Sequence, residues 1–405
     1  MKMAVGARVI PATVVTAYLC CVAPTLAIEP AHLRPGGFYL TPILEVEQKH
    51  IDNLLRSANS EIDTWGTITR PSLQTWAQKD LDTYSLAYEL EDGAYNDSSE
   101  DDYTNHTFRI DVHKEATARN VFDLYGKYFN GYEPRGTGLT EGITGDVIDK
   151  PLKYDLTLFG GIYTLGSSTS IARLEVEART EEIKYKNFRA FTREYDRSED
   201  SYRGTFFYRM GGRTDALLEV RHHDTDYRLD DGDRVLVANG LDSDEDIYLI
   251  GVQWEATAKT TGSIKMGAFD RVAENDERGD DNGFHWEAEI AWQPRTYSEF
   301  QLVTRRYSGE TNGLGDYMDS REYSAAWNHS WTQRWHTSVQ ALFGDDNYPG
   351  SERQDERYEA EAGVAYSFRR WLDLGAGYRY EKRQSDIDAL KYTRNVFYFD
   401  VKLSL

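Results

Sequence analysis

The chain has 405 residues, 40% of them hydrophobic and 13% aromatic, with a formal charge of −22. So acidic a chain repels nucleic acid. Its negative mean hydropathy argues against a bundle of membrane-spanning helices, but not against a barrel in which only alternate residues are apolar.

Residues 1–27 have the pattern of a secretory signal. Lys2 and Arg8 form the charged start, Val9–Ala23 is a short apolar stretch, and Thr25-Leu26-Ala27 offers small residues at the cleavage-critical positions. A lipoprotein signal fits less well, because Cys20 follows Leu19 and Cys21 follows Cys20, and neither predecessor is small. Cleavage after Ala27 removes both cysteines, so no disulfide framework or thiolate metal site is expected. It also removes two positive charges, taking −22 to −24.

From residue 28 to 405 no linker or composition shift divides the chain, and the dominant signal is period-two alternation. Strands are expected at 38–47, 61–77, 82–91, 103–114, 117–129, 153–165, 170–184, 199–210, 214–227, 246–256, 260–271, 283–293, 297–307, 320–332, 334–344, 356–368, 371–382 and 392–405. In the clearest of them, Ala172, Leu174, Val176 and Ala178 alternate with Arg173, Glu175, Glu177 and Arg179. At the end, Phe397, Phe399, Val401, Leu403 and Leu405 alternate with Tyr398, Asp400, Lys402 and Ser404. Pro42 and Pro71 fall inside the first two segments, where each removes a ladder donor.

Connections alternate between short turns, such as Lys79-Asp80 and Glu115-Ala116, and long polar stretches, such as 48–60 and 130–152. Acidic runs such as Ser98–Asp102, Asp230–Asp233 and Asp276–Asp281 lie in the long ones and are expected to be solvated external loops. The first and last connections are both long, so both termini lie on the short-turn side and the strand count is even. The expected fold is all-β: a transmembrane up-and-down antiparallel barrel of about eighteen strands, sixteen if two weak segments fail, with short periplasmic turns and long external loops. Trp76, Trp254, Trp292, Trp331, Trp335, Phe368 and Trp371 lie beside the short turns, as a periplasmic aromatic girdle would. His106, His222 and His329 fall on the outward row, which suits only an interface.

No catalytic site, cofactor or metal site is expected. Asn328-His329-Ser330 has triad residue types, but adjacent strand residues face opposite ways. The informative residues are inward charges. Arg109, Arg119, Lys127, Arg173, Arg179, Arg203, Arg209 and Arg221 are expected on one part of the lumen wall, and Glu255, Glu287, Glu289, Glu359 and Glu361 on another. They form either neutralising ion pairs that stiffen the wall or a basic wall facing an acidic one, which would orient polar solutes. Tyr125, Tyr163 and Tyr398 are expected to face inward, where they could stack on sugar faces.

The mature start, Leu40-Thr41-Pro42-Ile43-Leu44 and then His50-Ile51-Asp52-Asn53-Leu54-Leu55-Arg56-Ser57, resembles the "putative beta-barrel porin 2" family. Arg70-Pro71-Ser72-Leu73 and Trp292-Gln293-Pro294-Arg295-Thr296 extend the resemblance, which covers nearly all of the mature chain. Within the family it is similar to the outer-membrane barrels of exopolysaccharide operons. The terminal aromatic usual in such barrels is replaced by Leu405. The resemblance implies an outer-membrane conduit for exopolysaccharide, with diffusion of small polar solutes as the alternative. The partners expected are outer-membrane lipid and lipopolysaccharide, the transported solute and periplasmic export proteins.

Overall fold

The computed structural model describes residues 33–34, 36–142, 148–167, 169–227, 241–257, 259–275 and 278–404. The expected signal, Asp230–Asp233, the pair Asp276-Glu277 and Leu405 lie outside the described residues.

The described residues form eighteen strands: β1 (Phe38–Ile51), β2 (Thr64–Lys79), β3 (Asp82–Tyr95), β4 (Tyr103–Thr117), β5 (Asn120–Glu133), β6 (Leu152–Leu165), β7 (Ala172–Tyr185), β8 (Arg197–Gly211), β9 (Thr214–Tyr227), β10 (Ser243–Thr257), β11 (Thr260–Ala273), β12 (Asp281–Arg295), β13 (Ser298–Gly309), β14 (Met318–Ser330), β15 (Trp335–Asn347), β16 (Gln354–Arg369), β17 (Leu372–Ser385) and β18 (Tyr392–Ser404). Each pairs antiparallel with its neighbour in sequence, and β1 pairs with β18, so the sheet closes and leaves no edge.

Cross-strand partners share a face, so the registers assign every strand an inside and an outside. Outside, Leu86, Ile110, Leu124, Val176, Leu218, Ile250, Leu302 and Phe399 form an exposed apolar band. Exposed aliphatic side chains in a continuous belt are what bilayer hydrocarbon covers. The alternation therefore reports a membrane barrel, as expected from the sequence, and the strand count is eighteen.

Both prolines are accommodated. Pro42 stays paired with Leu73 and Pro71 with Leu44. On its other side, the β2–β3 register passes from Thr69↔Asp92 to Ser72↔Glu89 and leaves Pro71 without a partner, which suits a residue that has no N–H.

At the short-turn end, Trp292 stacks on Phe300 at 5.3 Å, Phe300 on Trp327 at 6.1 Å, and Trp335 packs on Tyr366 at 4.7 Å. His329 lies against Trp331 at 4.3 Å in the same girdle. Trp76 departs from the expectation. It pairs with Tyr39 on the inward row and stacks on it at 3.9 Å.

Candidate functional site

The wall of the lumen is built by ion pairs within and between strands. Arg203 of β8 lies 2.6 Å from Glu177 of β7 as an ion pair, and Arg179 donates to Glu181 at 2.8 Å. Arg173 meets Glu175 at 3.2 Å, and Arg209 meets Asp215 at 2.5 Å. Arg221 of β9 reaches over two intervening strands to hold both carboxylate oxygens of Glu287 on β12, at 2.5 and 2.9 Å. Its own strand supplies Glu219, which Lys265 also contacts at 3.1 Å, and His285 approaches Glu287 at 3.2 Å. Arg221 is 5% exposed and Glu219 2%, so this cluster is packed into the wall. Glu361 accepts from Arg379 at 2.9 Å and from Tyr398 at 2.7 Å.

Most of the inward arginines are thus neutralised by a carboxylate on their own or a nearby strand, as in the ion-pair alternative. Arg109, Glu289 and Glu359 are different: among the described residues none has an ion-pair partner. Arg109 pairs in register with Ala87 and Lys127, Glu289 with Ser263 and Val303, and Glu359 with Leu342 and Glu381, all on the inward face. Glu255 is exposed at the short-turn end of β10.

Two expected lumen residues lie elsewhere. Arg119 sits exposed in the turn between β4 and β5, because the register shifts between Glu115 and Thr117 and β5 starts at Asn120. Tyr163 pairs with Phe122 on the outward face, packs tilted against it at 5.0 Å and donates to Asn120 at 2.6 Å. Its strand misleads because β6 is apolar on both faces. Leu156, Leu158 and Ile162 point inward and are buried, while Phe159 and Leu165 point outward.

Tyr125 and Tyr398 do face inward, each laid flat over a glycine on the adjacent strand. A Cβ at Gly160 would fall 2.5 Å from the Tyr125 ring, and one at Gly377 would fall 2.3 Å from that of Tyr398. The glycines let each ring lie along the wall, its phenol tied to Glu177 or Glu361.

Alternation within single strands could not reveal what the loops do. The β5–β6 loop leans across the external mouth. Gly136, at φ +79, brings the chain onto the carbonyl of Leu55 in the β1–β2 loop, where any Cβ would collide. Farther along, Glu141 accepts from Arg353 at 2.8 Å and from Arg383 of β17 at 2.6 Å. Burial alone pushes the Glu141 carboxyl up, and the Arg383 and Arg353 charges outweigh it and hold it below the usual carboxylate range. The β7–β8 loop leans in as well. Phe188, Phe191 and Tyr195 pack with Leu139, Ile148 and Leu152, and Tyr195 donates to Asn312 at 3.3 Å. Loops from one side of the barrel therefore bridge to the other above the lumen.

Register also joins Ser330 of β14 to His336 of β15 at 2.9 Å on the inward face, while His329 points to the girdle. The triad residue types of 328–330 do not converge.

The family profile described as "Putative beta-barrel porin 2" matches residues 26–405. No curated protein matches significantly. Among solved structures, the chain is similar to the outer membrane protein opdK from Pseudomonas aeruginosa, at 11% identity and a TM-score of 0.47, covering 90% of this chain and 99% of that one. A BenF-like porin from Pseudomonas fluorescens Pf-5 gives 10% and 0.48, with 91% and 99% covered. The siderophore receptor PirA from Acinetobacter baumannii gives 9% and 0.45, with 90% and 80% covered. With a closed barrel, an apolar outer belt and a charged lumen, the chain is a bacterial outer-membrane porin-like channel and belongs to the "Putative beta-barrel porin 2" family.

Proposed function

We propose that the barrel is a passive channel for small polar solutes that pass beside the loop bridging its external mouth. The observation that supports this reading most is the clamp of Glu141 on Arg353 and Arg383. It ties residues 134–142 to the external end of β17, an arrangement expected to admit a small solute and to obstruct a polymer. The unpaired charges Arg109, Glu289 and Glu359 would orient a solute dipole within the wet part of the lumen. Planar-bilayer recording tests this. Steady small conductance steps with permeation by monosaccharides, and exclusion of oligosaccharides, are expected. A silent barrel in which loop deletion restores nothing would refute it.

A second reading, export of an exopolysaccharide handed over by periplasmic export proteins, is favoured by the flat inward rings of Tyr125 and Tyr398. An aromatic face laid along the wall suits the apolar face of a sugar. This reading needs the 134–142 loop to swing aside. It predicts polymer retained in the periplasm of a deletion strain, and normal secretion there would sink it.

A further inference from the structure

The outward row changes sign around the external rim. On β8 to β11 it is acidic: Asp200 is paired with Asp224, Asp224 with Asp244, and Asp246 with Asp270. Cross-strand like charges repel, so an anionic headgroup is disfavoured along this arc.

On β6 and β7 the same row carries Lys153, Lys184 and Lys186. The N–H of Lys186 donates to the carbonyl of Lys153 at 2.7 Å, so the two stand opposite each other, and Lys184 faces Asp155. The N–H of Lys153 is held by the Asn187 side chain at 2.7 Å, which pins the backbone of this corner. Against three cations the face sets Asp155, bound by Lys186 at 2.7 Å and by Asn130 at 2.5 Å, and Glu182 below Lys184, while Asp92 and Asp102 farther along accept from Thr104 and from the N–H of Tyr95. Lys153 lies over the Tyr132 ring at 5.4 Å. Lys184 is exposed and has no ion-pair partner among the described residues.

The height of this corner matters. Lys153 is on the same face as Phe159, six positions farther into the apolar belt. At about 3.3 Å per residue that is roughly 20 Å along the strand, less once tilted. The lysines therefore stand above the hydrocarbon, at the level of outer-leaflet headgroups. Beside them runs a groove of about 330 Å³, lined among others by Lys153, Tyr132, Asn130, Thr104, His106 and Asp92. It combines hydroxyl, amide and carboxylate groups with the rings of Tyr103 and Tyr132, the set that holds a sugar.

We propose that the external rim of β4 to β7 binds the phosphorylated sugar headgroup of an outer-leaflet lipopolysaccharide. The phosphate sits among Lys153, Lys184 and Lys186, and the sugar lies in the groove over Tyr132 and Asn130. Charge complementarity selects this arc, because the neighbouring arc is a row of aspartates. The site lies on the lipid side of the wall and is independent of what the lumen carries.

The test uses the full chain refolded in detergent and titrated with bis-phosphorylated lipid A, dephosphorylated lipid A and phosphatidylglycerol. Lys153→Gln with Lys184→Gln is expected to weaken binding of phosphorylated lipid A at least tenfold. Dephosphorylation should weaken wild-type binding by a similar factor, while Lys382→Gln, at a rim lysine on β17 away from this corner, should not. Phosphatidylglycerol should bind more weakly than lipid A. Unchanged binding in the double variant overturns the proposal, as does an equal loss with Lys382→Gln. Equal affinity for phosphatidylglycerol also overturns it, since the groove would then be recognising no sugar. Heat-modifiable migration of each variant reports that it has folded.

Discussion

Glu141 and Arg383 meet at 2.6 Å although 242 residues separate them, one in a loop and the other at the external end of β17. Together with Arg353 they turn a loop of one hairpin into a bridge over the lumen.

Loss of the clamp should open the mouth. In Glu141→Ala, Arg353 and Arg383 lose their shared carboxylate and the 134–142 loop loses its anchor on β17. Single-channel conductance is expected to rise about twofold or more, with the barrel still folded. An unchanged conductance would show that the loop is held by its other contacts.

The clamp should also respond to acid. A carboxyl whose pKa is lower in the closed than in the released state favours closure above its released value, ~4. That preference fades as pH falls through the clamped value, which lies below the usual range. Current through the refolded channel is therefore expected to stay level from neutral pH down to about pH 5 and to rise below about pH 4. Glu141→Gln should show the raised current at neutral pH, and an identical acid response in that variant would assign the effect to another group.

The buried cluster around Arg221 should matter for stability. Arg221→Ala strands Glu219 and Glu287 within a wall already carrying His285 and Lys265. Removing one partner of a buried ionic cluster costs on the order of 3 kcal/mol. The urea midpoint of the variant in lipid vesicles is expected to fall clearly below that of Arg109→Ala, whose guanidinium has no ion-pair partner among the described residues.

Arg109 should instead govern selectivity. Arg109→Glu is expected to shift the reversal potential in a salt gradient toward cations, and Glu289→Lys toward anions. The same shift from Arg203→Gln, whose charge is already cancelled by Glu177, would mean that lumen charge acts only through its total.

Gly160 should be hard to replace. In Gly160→Ala the new methyl meets the Tyr125 ring at 2.5 Å, an overpacking expected to cost about 1–3 kcal/mol. In a Tyr125→Ser background the same substitution should be close to neutral. A full cost in both backgrounds would place the clash elsewhere.

Much of this architecture is legible in the residues themselves. Alternation such as Arg173-Leu174-Glu175-Val176-Glu177 states which face is wet, because a strand has period two and bilayer and water reject opposite side chains. The alternation of short and long connections states the parity of the strand count. Where a strand is apolar on both faces the signal vanishes. Tyr163 faces outward, against expectation, because inward Leu156 and Leu158 make β6 apolar on both faces. The position of Trp76 beside a turn suggests the girdle, whereas only its pairing with Tyr39 shows that it faces in.

Composition and spacing thus determined the barrel, the even parity of its strand count and its membrane-facing belt, all of which follow from local chain geometry and from how water and hydrocarbon partition side chains, while the choice of eighteen over sixteen came from the closed sheet. Which charges cancel and which stay open was decided by the registers, since Arg203 finds Glu177 only when β7 and β8 are aligned. The bridge over the mouth was decided later still. It depends on contacts between residues hundreds of positions apart, and these exist only once the cylinder has closed and brought β17 within reach of the β5–β6 loop.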